Sequence, residues 1–216
     1  MNKSKNYSAF KLLFLAYLFT PVLESLAQEP ALISAIRNNE QSLVVSLLSS
    51  GADPNARQGD GSTALHWAAH RNNEEAVQSL LEAGANVDAS NELGATPLWL
   101  AASNGSEMLV EKLLSAGANP NVRLKMGETP IMSASRAGNV RTVALLLNAG
   151  GDVNAAEDER GQTALMWAVA QSHTPVVALL LENEANLNTH SKVWYQLENT
   201  AGNTNPSGNF KMAHGG

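Results

Sequence analysis

Apolar positions recur along the chain in two alternating patterns. The first is a short run after a threonine, "TALHWAA" from Thr63, "TPLWLAA" from Thr96, "TPIMSAS" from Thr129 and "TALMWAV" from Thr163. The second places a valine three and four residues ahead of a leucine pair: Val44, Val77, Val110, Val143 and Val177 precede Leu47-Leu48, Leu80-Leu81, Leu113-Leu114, Leu146-Leu147 and Leu180-Leu181. An i, i+3, i+4 stripe is one buried face of an amphipathic helix. The first pattern repeats at spacings of 33, 33 and 34 residues and the second at 33, 33, 33 and 34. A fixed period of this size marks a repeat architecture and overrides any domain count taken from length.

The polar positions define the breaks. Thr96 is a good helix N-cap, and Pro97 suits the first helical position, where a missing N–H costs nothing. Asn72-Asn73, Asn104-Gly105, Gly138-Asn139 and Ser172-His173 separate the first helix from the second. Gly51, Gly84, Gly117 and Gly150 follow the second helices, where a left-handed residue is wanted. Turn-forming "ADPN", "ANVD", "ANPN" and "GDVN" come next, and Gly61, Gly94, Gly127 and Gly161 each stand two places before a threonine. Each unit is therefore helix, turn, helix and a protruding hairpin-like loop. A unit this small buries both helices only against identical neighbours. The expected fold class is all-α, a helix-turn-helix solenoid.

These residues resemble the ankyrin repeat family, whose mark is a 33-residue period carrying T-P-L-H-x-A. The match is close at "TALHWAA" and "TPLWLAA", looser at the other two, and spans about residues 30–190. It implies an N-terminal capping unit over 28–62, repeats over 63–95, 96–128 and 129–162, and a degenerate repeat over 163–190. In the first unit Pro30 stands where later units have threonine. The fourth loop, "AAEDERGQ", carries one extra residue, and Glu184 replaces the glycine after the last helix. A non-glycine residue in a left-handed conformation costs about 1–2 kcal/mol, so that helix is expected to end differently.

Both ends lie outside the pattern. Residues 1–27 join Lys3, Lys5 and Lys11 to an apolar stretch Leu12–Leu23 and a small-residue exit at Ser25 and Ala27. Those are the three parts of a secretory signal peptide. An uncleaved anchor is the alternative, but a spanning helix needs about 20 apolar residues. Residues 191–216 are rich in Asn, Gly, Thr and Ser, which suits a long loop or tail. The final "HGG" resembles the start of another repeat, so an interrupted further unit is expected there.

Composition narrows the chemistry. The 216 residues hold no cysteine, which removes disulfides and thiolate metal sites. Removing Lys3, Lys5, Lys11 and Glu24 from 14 cations and 20 anions leaves 11 against 19, a net charge of −8. Nucleic acid is then a poor partner, since phosphate binders carry a basic surplus. His66 and His70 have a zinc-compatible spacing without the glutamate of H-E-x-x-H or a third ligand nearby. The family resemblance instead implies a structural histidine at His66, hydrogen-bonded to its own turn. No nucleophile motif or phosphate loop is present, and Glu157–Glu159 fits an exposed acidic loop. No catalytic residue, metal or cofactor is expected.

A binding surface is the remaining function. The family places variable contacts after the paired alanines, which here are Arg37, Asn38, His70, Arg71, Ser103, Asn104, Arg136, Ala137, Ala170 and Gln171. None is a carboxylate, and Arg57, Arg123 and Lys125 flank them in the loops. That groove suits another protein with an acidic surface. Trp67 and Trp167 share one repeat position and fit two roles, interface anchor or inter-repeat packing; packing fits Trp99 better. The expected protein is exported, periplasmic or secreted, without a membrane span after cleavage, monomeric, and a module that binds another protein through its concave helix face and its loop tips. The alternative is a regulatory region of a larger exported enzyme.

Overall fold

The computed structural model describes residues 29–191. The expected leader and the stretch after Ser191 lie outside the described residues. Among the described residues, ten helices form five pairs: α1 (Ala31–Arg37) with α2 (Gln41–Ser49), α3 (Ala64–His70) with α4 (Glu74–Glu82), α5 (Pro97–Ser103) with α6 (Glu107–Ser115), α7 (Pro130–Ala137) with α8 (Val140–Asn148), and α9 (Ala164–Ala170) with α10 (Thr174–Glu182). The odd-numbered helices stack into an inner layer and the even-numbered ones into an outer layer, each touching its successor. Among the described residues, β-structure is limited to isolated bridges, Arg57 with Thr63 and Ala156 with Thr163.

The core lies between the layers and follows the sequence stripes. Leu65, Ala68, Leu98, Ala101, Ile131, Ala134 and Ala168 come from inner helices; Val44, Val77, Val110, Val143, Leu80, Leu113, Leu146 and Leu180 come from outer ones. Small residues at Ala69, Ala102 and Ser135 are fully buried where neighbouring units meet. Thr96 accepts the Trp99 N–H at 3.3 Å and Thr163 the Met166 N–H at 3.4 Å, as N-caps should. Pro30 takes the N-cap place of α1 without a side-chain bond.

One expectation is overturned. The last helix ends as the others do, because Glu184 itself adopts φ +65°. Its N–H donates to Leu181 O and that of Ala185 to Leu180 O, the same bonds that Gly51 and Ala52 make to Leu48 and Leu47. Neighbouring repeats hold it there: Asn154 Nδ2 donates to Glu184 O at 3.2 Å. A backbone strain of about 1–2 kcal/mol is small beside the contacts that fix it.

Asparagines bolt the repeats together. Asn55 Oδ1 accepts from Asn86 N–H while its amide donates to Gly84 O, and Asn121 treats Asp152 and Gly150 alike. The loops join edge to edge, with Glu92, Lys125 and Asp158 N–H donating to Asp60, Leu93 and Met126 carbonyls. The extra residue of the fourth loop is absorbed around Glu157, whose carboxylate accepts the N–H groups of Glu159, Arg160 and Gln162.

Candidate functional site

The inner helices and loops line one concave side. On it, a guanidinium from one repeat lies over the tryptophan of the next: Arg37 sits 4.7 Å from the Trp67 ring centre and Arg136 5.2 Å from that of Trp167. Each arginine is held from behind by a carboxylate, Glu29 at 2.8 Å and Glu128 at 3.2 Å. The Arg37 hydrogen bond, against some burial and with help from the Ser34 hydroxyl, keeps the Glu29 carboxyl below its ordinary range. Glu29 and Glu128 occupy the same place in their repeats, as do the two arginines and the two tryptophans. The groove thus carries two equivalent Glu–Arg–Trp stacks, three repeats apart. Between them lie the smaller Leu100, Ser103 and Ser133.

The stacks differ at the indole nitrogen. Trp67 Nε1 donates to Gln58 Oε1 at 3.1 Å. At the corresponding place of the second stack stands Glu157, turned to its own loop, and Trp167 Nε1 is buried without a protein acceptor. A cleft of about 180 Å³ opens beside that ring, lined by Met126, Glu128, Arg136, Glu159 and Arg160 among others. Both tryptophans are half-buried and pack against the core, so they serve packing and surface together.

The remaining expected contact residues divide by role. His70, Arg71 and Gln171 are exposed on the concave side, with the His70 ring edge-on to Trp67 at 6.1 Å. Arg57 is a loop clamp, donating to Gly61 O and Ser90 O at 2.8 Å. Arg123 clamps the next-but-one junction, to Ala156 O and Asp158. Asn104 donates to Ala69 O and His70 O, tying the third unit to the second. Lys125 is exposed at a loop tip. The cationic set is therefore smaller than the sequence suggests: Arg37, Arg123 and Arg136 face carboxylates and Arg57 faces carbonyls. Glu29 and Glu128 escaped notice because each lies eight residues before its arginine, across an N-cap; their common spacing of 99 with Arg37 and Arg136 is the signal that reveals them.

His66 is structural, and it reaches beyond its own turn. Its Nδ1 accepts the Thr63 N–H at 3.1 Å, which leaves the proton on Nε2 to donate to Ala95 O at 2.9 Å in the next repeat. Burial pushes its pKa down, opposed by the Ala95 bond and reinforced by Arg57. Among the described residues, no group of three or more His, Asp or Glu is placed to hold a metal ion, and no helix is long and apolar enough to cross a membrane.

Comparison with known proteins agrees with this geometry. Residues 32–123 and 99–191 each match the family described as ankyrin repeats (3 copies). No curated protein matches the sequence. Ankyrin repeats are in general protein–protein interaction modules rather than catalytic folds. Matched over residues 32–191, well over half of its 216 residues, the chain belongs to the ankyrin repeat family.

Proposed function

We propose that this chain holds a protein partner along its concave side, between and across the two Glu–Arg–Trp stacks. The observation that carries the reading is the pairing itself. A guanidinium held by a carboxylate and laid on an indole is a flat, pre-positioned surface, and pre-positioning lowers the ordering cost of binding. Both arginine side chains are partly open to solvent, which leaves donors for a partner's carboxylates or carbonyls. Because Glu29 and Glu128 offset the charge of Arg37 and Arg136, attraction for an acidic surface rests mainly on Arg71, with His70 beside it. The same reading makes the protein an exported monomer, supported by the charged, apolar and small-residue order of residues 1–27.

The test is affinity capture with the full chain as bait, from extract and culture medium of its source, read by mass spectrometry. Arg71→Glu with Gln171→Glu alters two exposed groove positions whose side chains make no hydrogen bond in the fold. The captured partner should bind that variant about tenfold more weakly. Unchanged affinity would remove the groove from the interface.

A further inference from the structure

Among the described residues, the far side of the fifth unit is covered by no further unit. Val169 is 58% exposed there, whereas Ile36, Ala69, Ala102 and Ser135, at the same place in the four earlier units, are fully buried. Leu187 is 74% exposed, where Pro54, Val87, Pro120 and Val153 are half-buried. Leu181, at 40%, is more open than the second leucine of every other pair. A position that is closed in every unit with a successor, and open in the unit without one, is a position that the successor closes. The fifth unit therefore presents an apolar face shaped for contact. The opposite end of the stack differs, since Leu43 is set there among Glu29, Ser34, Asn38 and Glu40.

An unused hydrogen-bonding group marks the same face. Asn55, Asp88, Asn121 and Asn154 share one place in their units. A side-chain oxygen of each accepts an N–H of the following unit, from Asn86, Asn119, Asp152 and Asn186 in turn. The three asparagines also donate to the carbonyls of Gly84, Gly150 and Glu184. Asn188 is the fifth of this series, and its side chain makes no hydrogen bond among the described residues. These bolts hold backbone groups only, so any segment with a free N–H and C=O can serve Asn188. Glu182 and Glu184 are exposed at this end, and neither is ion-paired among the described residues.

The sequence supplies such a segment directly after Ser191. Val193, Trp194, Tyr195 and Leu197 are four large apolar or aromatic residues within six positions. Trp and Tyr bury a large apolar body and keep a polar tip for water or a backbone group. Six residues of extended chain span about 20 Å, enough to cross two helix layers that lie about 10 Å apart. Residues 192–216 carry Lys192 and Lys211 against Glu198, opposite in sign to Glu182 and Glu184. We propose that residues 192–197 of this chain fold back onto the open end of the fifth unit, their apolar side chains covering Val169, Leu181 and Leu187 and a backbone group meeting Asn188. The segment then does for the fifth unit what a following unit does for each of the others. This goes beyond the groove reading and does not depend on it.

Hydrogen exchange of the full chain, read on peptides that span residues 192–197, tests the proposal. Amides 193–197 should exchange about tenfold or more slowly than in the same peptide free in solution. Val169→Asp with Leu187→Asp should return them to the free rate. Both replaced side chains are more than half exposed, so the aspartates face water in the folded chain, and circular dichroism checks the fold. Trp194→Ala should lower the melting temperature of the full chain by about 3 °C, and by much less in the Val169→Asp/Leu187→Asp background, as for groups in contact. Free-rate exchange in the unaltered chain, protection that survives Val169→Asp/Leu187→Asp, or equal melting shifts in the two backgrounds would overturn the proposal. Protection that grows with protein concentration would overturn it too, by placing a second copy on this face. Protection that is independent of concentration and lost with Val169→Asp/Leu187→Asp would support it.

Discussion

The second and fourth repeats share one backbone and differ in how their polar atoms are satisfied. In the second, His66 joins the Thr63 N–H and hydroxyl to Ala95 O, so one buried side chain serves two repeats. In the fourth, Met132 occupies the same place, and the Thr129, Ser133, Ser135 and Thr142 hydroxyl oxygens are buried without a protein partner. Where the second repeat has Ala69 and Ala76, the fourth has Ser135 and Thr142. Unpaired buried hydroxyls each cost about 1–3 kcal/mol. The period alone does not fix stability, and the fourth repeat is expected to be the softer of these two. It also carries Arg136 and the floor of the second stack, so that unit underlies half of the proposed binding groove.

The largest expected effect comes from removing the asset of the second repeat. His66→Met leaves the Thr63 N–H and Ala95 O without their partner, in a slot where Met132 shows that the side chain fits. Unfolding in urea should report a loss of about 2–4 kcal/mol. A loss below about 1 kcal/mol would mean that the histidine is not what separates the two repeats.

Next is the left-handed turn between helices. Gly138, at φ +77°, lies under the His173 ring, where an added Cβ would come within 2.6 Å of a ring atom. The ring in turn donates to Arg136 O at 3.1 Å. Gly138→Ala should cost about 2 kcal/mol, from backbone strain and the displaced imidazole. In the second repeat, Asn72 takes the same conformation at φ +56°, and its side chain is exposed. Asn72→Ala should cost about 1 kcal/mol, the strain alone. Equal melting-temperature shifts for the two would show that the fourth repeat gives way around His173.

A smaller change should narrow the gap from the other side. Ser135→Ala deletes an unpaired buried hydroxyl and restores the residue found at Ala69 and Ala102. It should stabilise by about 1 kcal/mol. A destabilised variant would show that the hydroxyl has a partner in solution.

The smallest effect is a pH dependence confined to the second repeat. The folded His66 pKa lies below its ordinary value of 6.5. Its contribution is therefore complete above pH 6.5 and is lost as the pH falls toward the folded value, since the unfolded chain then binds the proton first. Arg57 and Asp60 are the charges that face it, and they act in opposite directions. Stability measured from pH 7.5 down to 5 should fall more steeply in the wild type than in His66→Met. Parallel curves would assign the slope to other groups.

Much of this was legible in the chain. Threonine caps, leucine pairs and the 33-residue period each carry a local reason, and local reasons survive folding. The termination at Glu184 was not legible, because its strain is offset by Asn154 in the preceding repeat, a partner 30 residues away. The arginines misled for the same reason. Arg37 and Arg136 look unpaired along the helix, yet their carboxylate comes from the approach to the helix and their indole from the next repeat. Val169 and Leu187 read as ordinary repeat positions, and only their exposure in the fifth unit sets them apart.

The central claim is that a partner lies on the concave side. Hydrogen exchange of the full chain, with and without the captured partner, tests it most directly. The account predicts added protection in the segments that hold Trp67 to Arg71 and Ser133 to Ala137, with the outer helices α4, α6 and α8 unchanged. Protection confined to those outer helices would contradict it.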